Sequence, residues 1–243
     1  MSRSRKAFVA AVSDTMPTEA VEALQRMAAA VVVLPPDPHL PVPVSSHPDM
    51  LLFSHGDTLV TYASYYAIAK APIDRLVSYT GRNLRLTNHP HSDRYPHDIG
   101  LNALVCGRLL FARLDALAPE VLSLATAHGL TPVSIAQGYA GCSGLALDDT
   151  TLWTADPSLT KAATAHGLSV LPATYEEITL PGYDHGFIGG CGGVWRNIVY
   201  LCGTPTPVQR ERYFTHPLFY GKAIRLLYDG PLFDCGGIRI FPI

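Results

Sequence analysis

The chain has 243 residues, a formal net charge of −2, 48% hydrophobic and 16% charged residues. That length allows one large domain with a real core, and no block of like charge marks a nucleic-acid or membrane face. The basic start MSRSRK and the apolar run AFVAAV are too short for a secretory signal or for a span of about 20 apolar residues, so a soluble, cytoplasmic protein is expected.

In chain order, AFVAAVS reads as a buried strand. TMPTEAVEALQRMAAA follows as a helix, with Asp14 or Thr15 as its cap and Pro17 in its first turn. Val31–Leu34 (VVVL) is the next strand, and the Pro-rich PPDPHLPVPVSSHP after it reads as a surface connection. HPDMLLFSHGDTLVTY (His47–Tyr62) is a polar cluster followed by two apolar runs around a Gly turn. The helix after Ala63 is interrupted at Pro72. NHPHSDRYPHD holds His89, His91 and His97, which read as a solvated loop at a cavity rim, because no carboxylate or cysteine spacing completes a metal set. No metal and no cofactor are expected.

YPHDIGLNALVCGRLLF (Tyr95–Phe111) repeats the earlier shape. DALAPEVLSLATAHG is a helix between Asp115 and Gly129, and DPSLTKAATAHG repeats it between Asp156-Pro157 and Gly167. TAHGL recurs at Thr126–Leu130 and Thr164–Leu168. Each copy leads into a short strand (TPVSI, SVLP) and then into a Gly-Tyr loop with small residues (GYAGCSGLAL, GYDHGFIGG). TPVQRERYF opens the last helix, with Pro207 near its start, and His216-Pro217 ends it. The chain closes on DGPLFDCGGIRIFPI.

One residue per copy anchors the pattern: Asp49, Asp98, Cys142, His185 and Cys235, spaced 43 to 50 residues apart. That period suits a ββαβ module. The fifth copy stops after one strand, and AFVAAVS, the first helix and VVVL supply what it lacks. The expected architecture is therefore α/β, a single domain over residues 1–243, built of five ββαβ units in a ring with both chain ends completing one unit. Such closure also hides sheet edges.

Small-residue segments belong where strands converge on the axis of such a ring, since Gly tolerates close backbone approach. A cavity there receives two carboxylates, a histidine and two thiols, the parts of nucleophilic catalysis. A carboxylate also grips a guanidinium with two hydrogen bonds. Asp98, Asp49, Cys142 and Ser143 are the candidate substrate-binding residues. Cys106 and Cys202 lie in apolar runs and Cys191 among glycines, so these three read as structural. The five cysteines include no CxxC, which argues against a disulfide framework or a zinc site. GFIGGCGG feeds the strand-like VWRNIVYL instead of a helix, which rules out a phosphate loop.

The unit order and polar clusters resemble the pentein family, five-bladed β/α-propellers that modify guanidines: dimethylarginine dimethylaminohydrolase, arginine and agmatine deiminases, and amidinotransferases. A noncatalytic ribosome anti-association factor shares the ring. HGFIGGCGGVWRNIVYLCG resembles the strand pair that begins with the family's histidine, which implies His185 as general acid/base. DGPLFDCGGIRIF resembles the C-terminal nucleophile segment, implying Cys235, and YPHDIGLNALV the segment whose Asp98 would hold the guanidinium. The implied partner is a small guanidino or amidino compound, converted by hydrolysis or amidino transfer through an amidino-thioether. Two features depart from the family pattern. GYAGCSGLAL has no acidic residue in the third unit, and Gly-Gly follows Cys235, so a shifted alignment places Ile240 at the nucleophile position. A noncatalytic ring that binds a protein or a small ligand is the other reading.

Overall fold

The computed structural model describes residues 7–243; the basic start MSRSRK lies outside them. Its first strand, β1 (Phe8–Ser13), is buried at every position. Both edges of β1 are paired, so an uninterrupted apolar run is what the strand requires. Helix α1 (Thr18–Met27) and β2 (Ala30–Leu34) follow. Then come α2 (Pro48–Leu51), β3 (Leu52–His55), β4 (Thr58–Tyr62), α3 (Ala63–Ile68), α4 (Lys70–Thr80) and β5 (Asn83–Thr87). The next unit is β6 (Leu104–Cys106), β7 (Leu109–Ala112), α5 (Pro119–Ala127) and β8 (Thr131–Ser134). After it run α6 (Ala140–Ser143), β9 (Gly144–Ala146), β10 (Thr151–Thr154), α7 (Pro157–Ala165), β11 (Ser169–Pro172) and the short β12 (Ile178–Thr179). The chain finishes with β13 (Gly192–Trp195), β14 (Ile198–Leu201), α8 (Pro207–Phe214), β15 (Ala223–Leu226), β16 (Leu232–Phe233) and β17 (Arg239–Pro242).

The expected ββαβ unit recurs. Among the described residues there are five three-stranded sheets, ordered β17-β1-β2, β3-β4-β5, β6-β7-β8, β9-β10-β11 and β13-β14-β15, and a two-stranded sheet of β12 and β16. In each triplet the central strand pairs antiparallel on one side and parallel on the other, as in β3-β4-β5. The two chain ends meet in one sheet: β17 pairs with β1 in the register Phe8↔Pro242 to Ala11↔Arg239. Among the described residues no sheet closes on itself; the triplets are separate sheets.

Helix limits follow local chemistry, with three departures from the sequence reading. Neither Asp14 nor Thr15 caps α1, whose boundary residue is Pro17; the Thr15 amide and hydroxyl bond Ser13 Oγ instead. Asp115 belongs to a separate one-turn 3-10 segment, and α5 begins after Ala118. The helical break after Ala63 falls at Ala69, so Pro72 sits in the first turn of α4, where it costs no hydrogen bond. Asp156 does cap α7, accepting the Leu159 amide at 2.7 Å. Thr206 and Gln209 form a reciprocal capping box on α8.

Alternation along β1 divides the core. Val9 and Ala11 face a cluster with Leu34, Met50, Tyr62 and Phe241, whereas Phe8, Ala10 and Val12 face one with Leu24, Tyr200, Cys202 and Cys235. Inner strands β3, β6, β9, β13 and β17, one from each triplet, together line a cavity of about 360 Å³. Here the Gly-rich stretch is needed for close approach: a Cβ on Gly193 would collide with the Ile238 carbonyl.

Candidate functional site

A second cavity, of about 260 Å³, is lined in part by His185 and Phe187, at the start of the Gly-rich segment. Its walls include His47, Tyr139, Cys142, Tyr183, His185 and Asp234. Four segments supply these groups. His47 precedes α2, Cys142 lies on the short α6, His185 sits in the loop before β13, and Asp234 follows β16.

Asp234 is 1% exposed and is held by backbone amides: Oδ2 accepts from Phe187 at 2.8 Å and Oδ1 from Gly236 at 3.0 Å. It approaches Gly190 so closely that a Cβ there would overlap the carboxylate. Burial, with the Asp49 charge adding to it, raises the Asp234 pKa to about 7. Asp49 is likewise buried, and burial lifts it to about 6 against the pull of the Arg239 charge and of the adjacent Cys142 thiol; among the described residues neither of its oxygens has a hydrogen-bond partner. His47 Nδ1 stands 3.9 Å from Asp234 Oδ1, and neither of its ring nitrogens has a hydrogen-bond partner. Burial depresses its pKa to about 3, so the imidazole is neutral at pH 7.

Cys142 is the one cysteine on the cavity wall. Asn102 fixes its loop, accepting the Gly141 amide at 2.6 Å and donating to Cys142 Sγ at 3.4 Å. Burial and the carboxylates Asp49 and Asp234 push the Cys142 thiol well above its ordinary value. A cation in the cavity would reverse that electrostatic bias. His185 stands at the open rim, its ring stacked on Tyr175 at 4.5 Å and its Nδ1 donating to the Gly186 carbonyl at 3.1 Å.

The sequence-derived candidates are thus distributed unevenly. Cys142 and His185 share the cavity, and Asp49 lies directly behind Cys142. Asp98 is buried away from the wall and is linked to it by Tyr139, whose hydroxyl donates to Asp98 Oδ2 at 2.6 Å. Ser143 is buried, off the wall, and its Oγ has no partner. Cys235 is not brought to the cavity. It is fully buried in the apolar cluster with Cys202 and Tyr200, and its thiol donates to the Gly190 carbonyl at 3.7 Å. A hydrogen-bonding interaction with the free Cys202 thiol, together with burial, pushes that thiol well above its ordinary value. A substrate carbon has no access to it in this packing.

Sequence reasoning missed His47, Asn102, Tyr139 and Asp234. Asp234 was adjacent to the chosen cysteine, and the only available signal was that successive side chains of an extended segment face opposite sides. The Pro-rich connection is also less superficial than expected, since Asp37, Leu40, Ser46 and His47 within it are all buried. The histidine loop is likewise not all solvated: the His91 side chain is 5% exposed and bonds Asp37 at 2.9 Å.

Comparison with solved structures identifies the architecture. DDAH from Pseudomonas aeruginosa, as a cysteine-to-serine mutant complexed with citrulline, superposes with a TM-score of 0.58 at 12% identity, covering 97% of this chain and 98% of that one. SxtG, an amidinotransferase from Microseira wollei, gives 0.54 at 12% identity over 90% of this chain and 77% of its own. The N-terminal domain of ArgZ, a cyanobacterial arginine dihydrolase bound to product, gives 0.55 at 12% identity over 95% and 94%. At such identities the likeness is one of fold. No curated protein matches the sequence. A family model, described as a family of unknown function (DUF6873), matches residues 11–239. The chain therefore belongs to the DUF6873 family, and its fold is that of the pentein superfamily.

Proposed function

We propose that the chain binds a small guanidino or amidino compound in the cavity beneath His185 and acts on it through a thiol. In this reading the five triplets are the blades of a five-bladed β/α-propeller, and β17 completes the first. The observation that carries the proposal is the state of Asp234. It is a buried carboxylate on a cavity wall, and among the described residues the only basic group within 4.0 Å of it is the neutral His47. An incoming guanidinium supplies the missing positive charge and donates to the carboxylate.

The geometry favours Cys142 over Cys235 as the reacting thiol. Cys142 passes its proton to the neighbouring carboxylate of Asp49, and the sulfur attacks the amidino carbon, forming a C–S bond. The C–N bond to the leaving amine breaks as protonated His185 gives that nitrogen a proton. His185, now neutral, takes a proton from water, which attacks the same carbon. The C–S bond breaks, the sulfur recovers its proton from Asp49, and the ureido product leaves as its hydroxyl proton passes to solvent. An amine in place of water gives amidino transfer. Asp98 is a positioning residue, acting through Tyr139.

A second reading, a ring that binds the cation without chemistry, is favoured by one observation: the Cys142 thiol is held neutral by burial and by two neighbouring carboxylates. A haloacetamidine probe followed by peptide mass spectrometry separates the readings. The catalytic reading expects modification of Cys142, slowed by free guanidine, abolished in Cys142→Ala, retained in Cys235→Ala and slowed in His185→Ala. Binding of guanidine without modification gives the noncatalytic reading. Modification of Cys235 would return the nucleophile to that residue, and neither binding nor modification would overturn both readings.

A further inference from the structure

Outside that cavity, two loops bring a carboxylate and two imidazoles together. Asp37 Oδ1 lies 2.7 Å from His39 Nδ1, and Asp37 Oδ2 lies 2.9 Å from His91 Nε2. The three ligand atoms all fall within 4.8 Å of one another. Asp37 and His39 come from the Pro-rich connection and His91 from the histidine loop 54 residues further on. We propose that Asp37, His39 and His91 form a binding site for a divalent transition-metal ion of the zinc type. The site does not rest on the reading of the cavity at Cys142.

The donor set fits such an ion. Two imidazoles with one carboxylate suit zinc and its neighbours, whereas calcium and magnesium prefer all-oxygen shells. The ligands are preorganised. Pro36 and Pro38 flank Asp37 and limit the backbone on both sides. The Asp37 amide donates to the Ser45 carbonyl at 2.8 Å, and Tyr65 Oη donates to the Pro35 carbonyl at 2.8 Å. The Tyr62 ring stacks on His91 at 4.0 Å and 12°, which fixes the imidazole plane.

Three protein ligands leave a fourth position, and the surroundings provide room for it. A cavity of about 290 Å³ is lined by His39, Ser64, Thr87, Asn88, His89 and His91. The His39 side chain is 49% exposed, so an ion has a route from solvent, while Asp37 is fully buried. A single carboxylate leaves a bound divalent ion with net positive charge at its open position. Water, a carboxylate or a phosphate oxygen would complete the shell there.

The test uses the full chain, stripped with a chelator and titrated with Zn²⁺ against a chromophoric competitor, and in parallel with Co²⁺ for its visible ligand-field bands. One equivalent is expected to bind. His39→Ala and His91→Ala should each weaken it by more than about 100-fold, since even outer-shell partners are worth roughly 10–100-fold. His39 is half exposed, so its variant reports on the site without threatening the fold. The histidine pair His55 and His128, with ring centroids 5.1 Å apart, is the control for casual surface binding. No binding, binding unchanged in His39→Ala, or binding lost only in the His55→Ala/His128→Ala variant would each overturn the proposal.

Discussion

Asp234 and Cys235 are neighbours in the chain and face opposite ways. Asp234 accepts the Phe187 and Gly236 amides at the cavity wall, whereas Cys235 donates to the Gly190 carbonyl inside the apolar cluster with Cys202. The carboxylate is therefore the one of the two that lines the cavity, and its ionisation is tied to that of Asp49.

That tie gives the first prediction. Asp49 and Asp234 have pKa values raised to about 6 and about 7, so the folded state holds their protons more tightly than the unfolded chain does. For raised carboxyls, the stabilisation is fully present below the unfolded pKa of about 4 and is lost as pH rises through about 6 to 7. Unfolding free energies from urea titrations should fall by an amount on the order of a few kcal/mol between about pH 4.5 and about pH 8 from this pair. In Asp49→Asn the like charge is gone, so the Asp234 pKa should drop, as read by carbon-13 carboxyl titration. An unchanged Asp234 titration would mean that the two groups are not coupled.

Gly190 is the backbone element that admits Asp234. A side chain there overlaps the carboxylate, and the Gly190 carbonyl also accepts the Cys235 and Gly237 amides, so the backbone cannot retreat. Gly190→Ala should cost about 2–4 kcal/mol by overpacking and by displacing a buried polar group. Gly167 offers the contrast. It has φ +81° and nothing within 4 Å of an added Cβ. Gly167→Ala should therefore cost only about 1 kcal/mol, from backbone strain. Thermal melts of the two variants check the order, and equal losses would contradict it.

Tyr139 spans Asp98 and the cavity. Removing its hydroxyl leaves Asp98 with both oxygens unpaired, since Oδ1 has no partner already. The Tyr139 hydrogen bond lowers the Asp98 pKa, against the larger opposing effect of burial. Tyr139→Phe should lose about 1–3 kcal/mol where Asp98 is ionised, and less once it is protonated. The expected signature is a stability deficit that shrinks as the pH falls below the Asp98 pKa. A deficit constant with pH would point to packing instead.

Much of the fold is legible in the sequence because it is carried by local, repeated signals. Apolar runs around a Gly turn, Asp156 before Pro157, and Pro207 near the start of TPVQRERYF each mark an element limit that the structure reproduces. The glycines of GFIGGCGG were readable as sites of close approach for the same reason. The candidate site is less legible, because its members are selected by phase and by distant partners. Which of Asp234 and Cys235 faces the cavity depends on the direction of a segment that turns through Gly236 and Gly237, at φ 72° and 76°. Asp37 is buried because His91, far along the chain, reaches it, and no local pattern in PPDPHLPVPV announces that.

The last prediction concerns the chain ends. β17 covers one edge of β1, and the aromatic ring of Phe241 packs in the larger core cluster with the Arg82 guanidinium 5.1 Å over it. Truncation after Ile238 removes every residue of that register and bares the edge of a strand that is otherwise buried along its whole length. It also deletes Arg239, whose charge faces Asp49. An exposed apolar edge of this kind pairs with other chains, so the truncated protein should accumulate as aggregate. Arg239→Gln separates the two losses: it keeps β17 and its ladder and should remain soluble, with the Asp49 pKa raised because its attracting charge is gone. Sedimentation and far-ultraviolet circular dichroism of both forms decide the matter, and a soluble, folded truncation would mean that the β1–β17 pairing is dispensable.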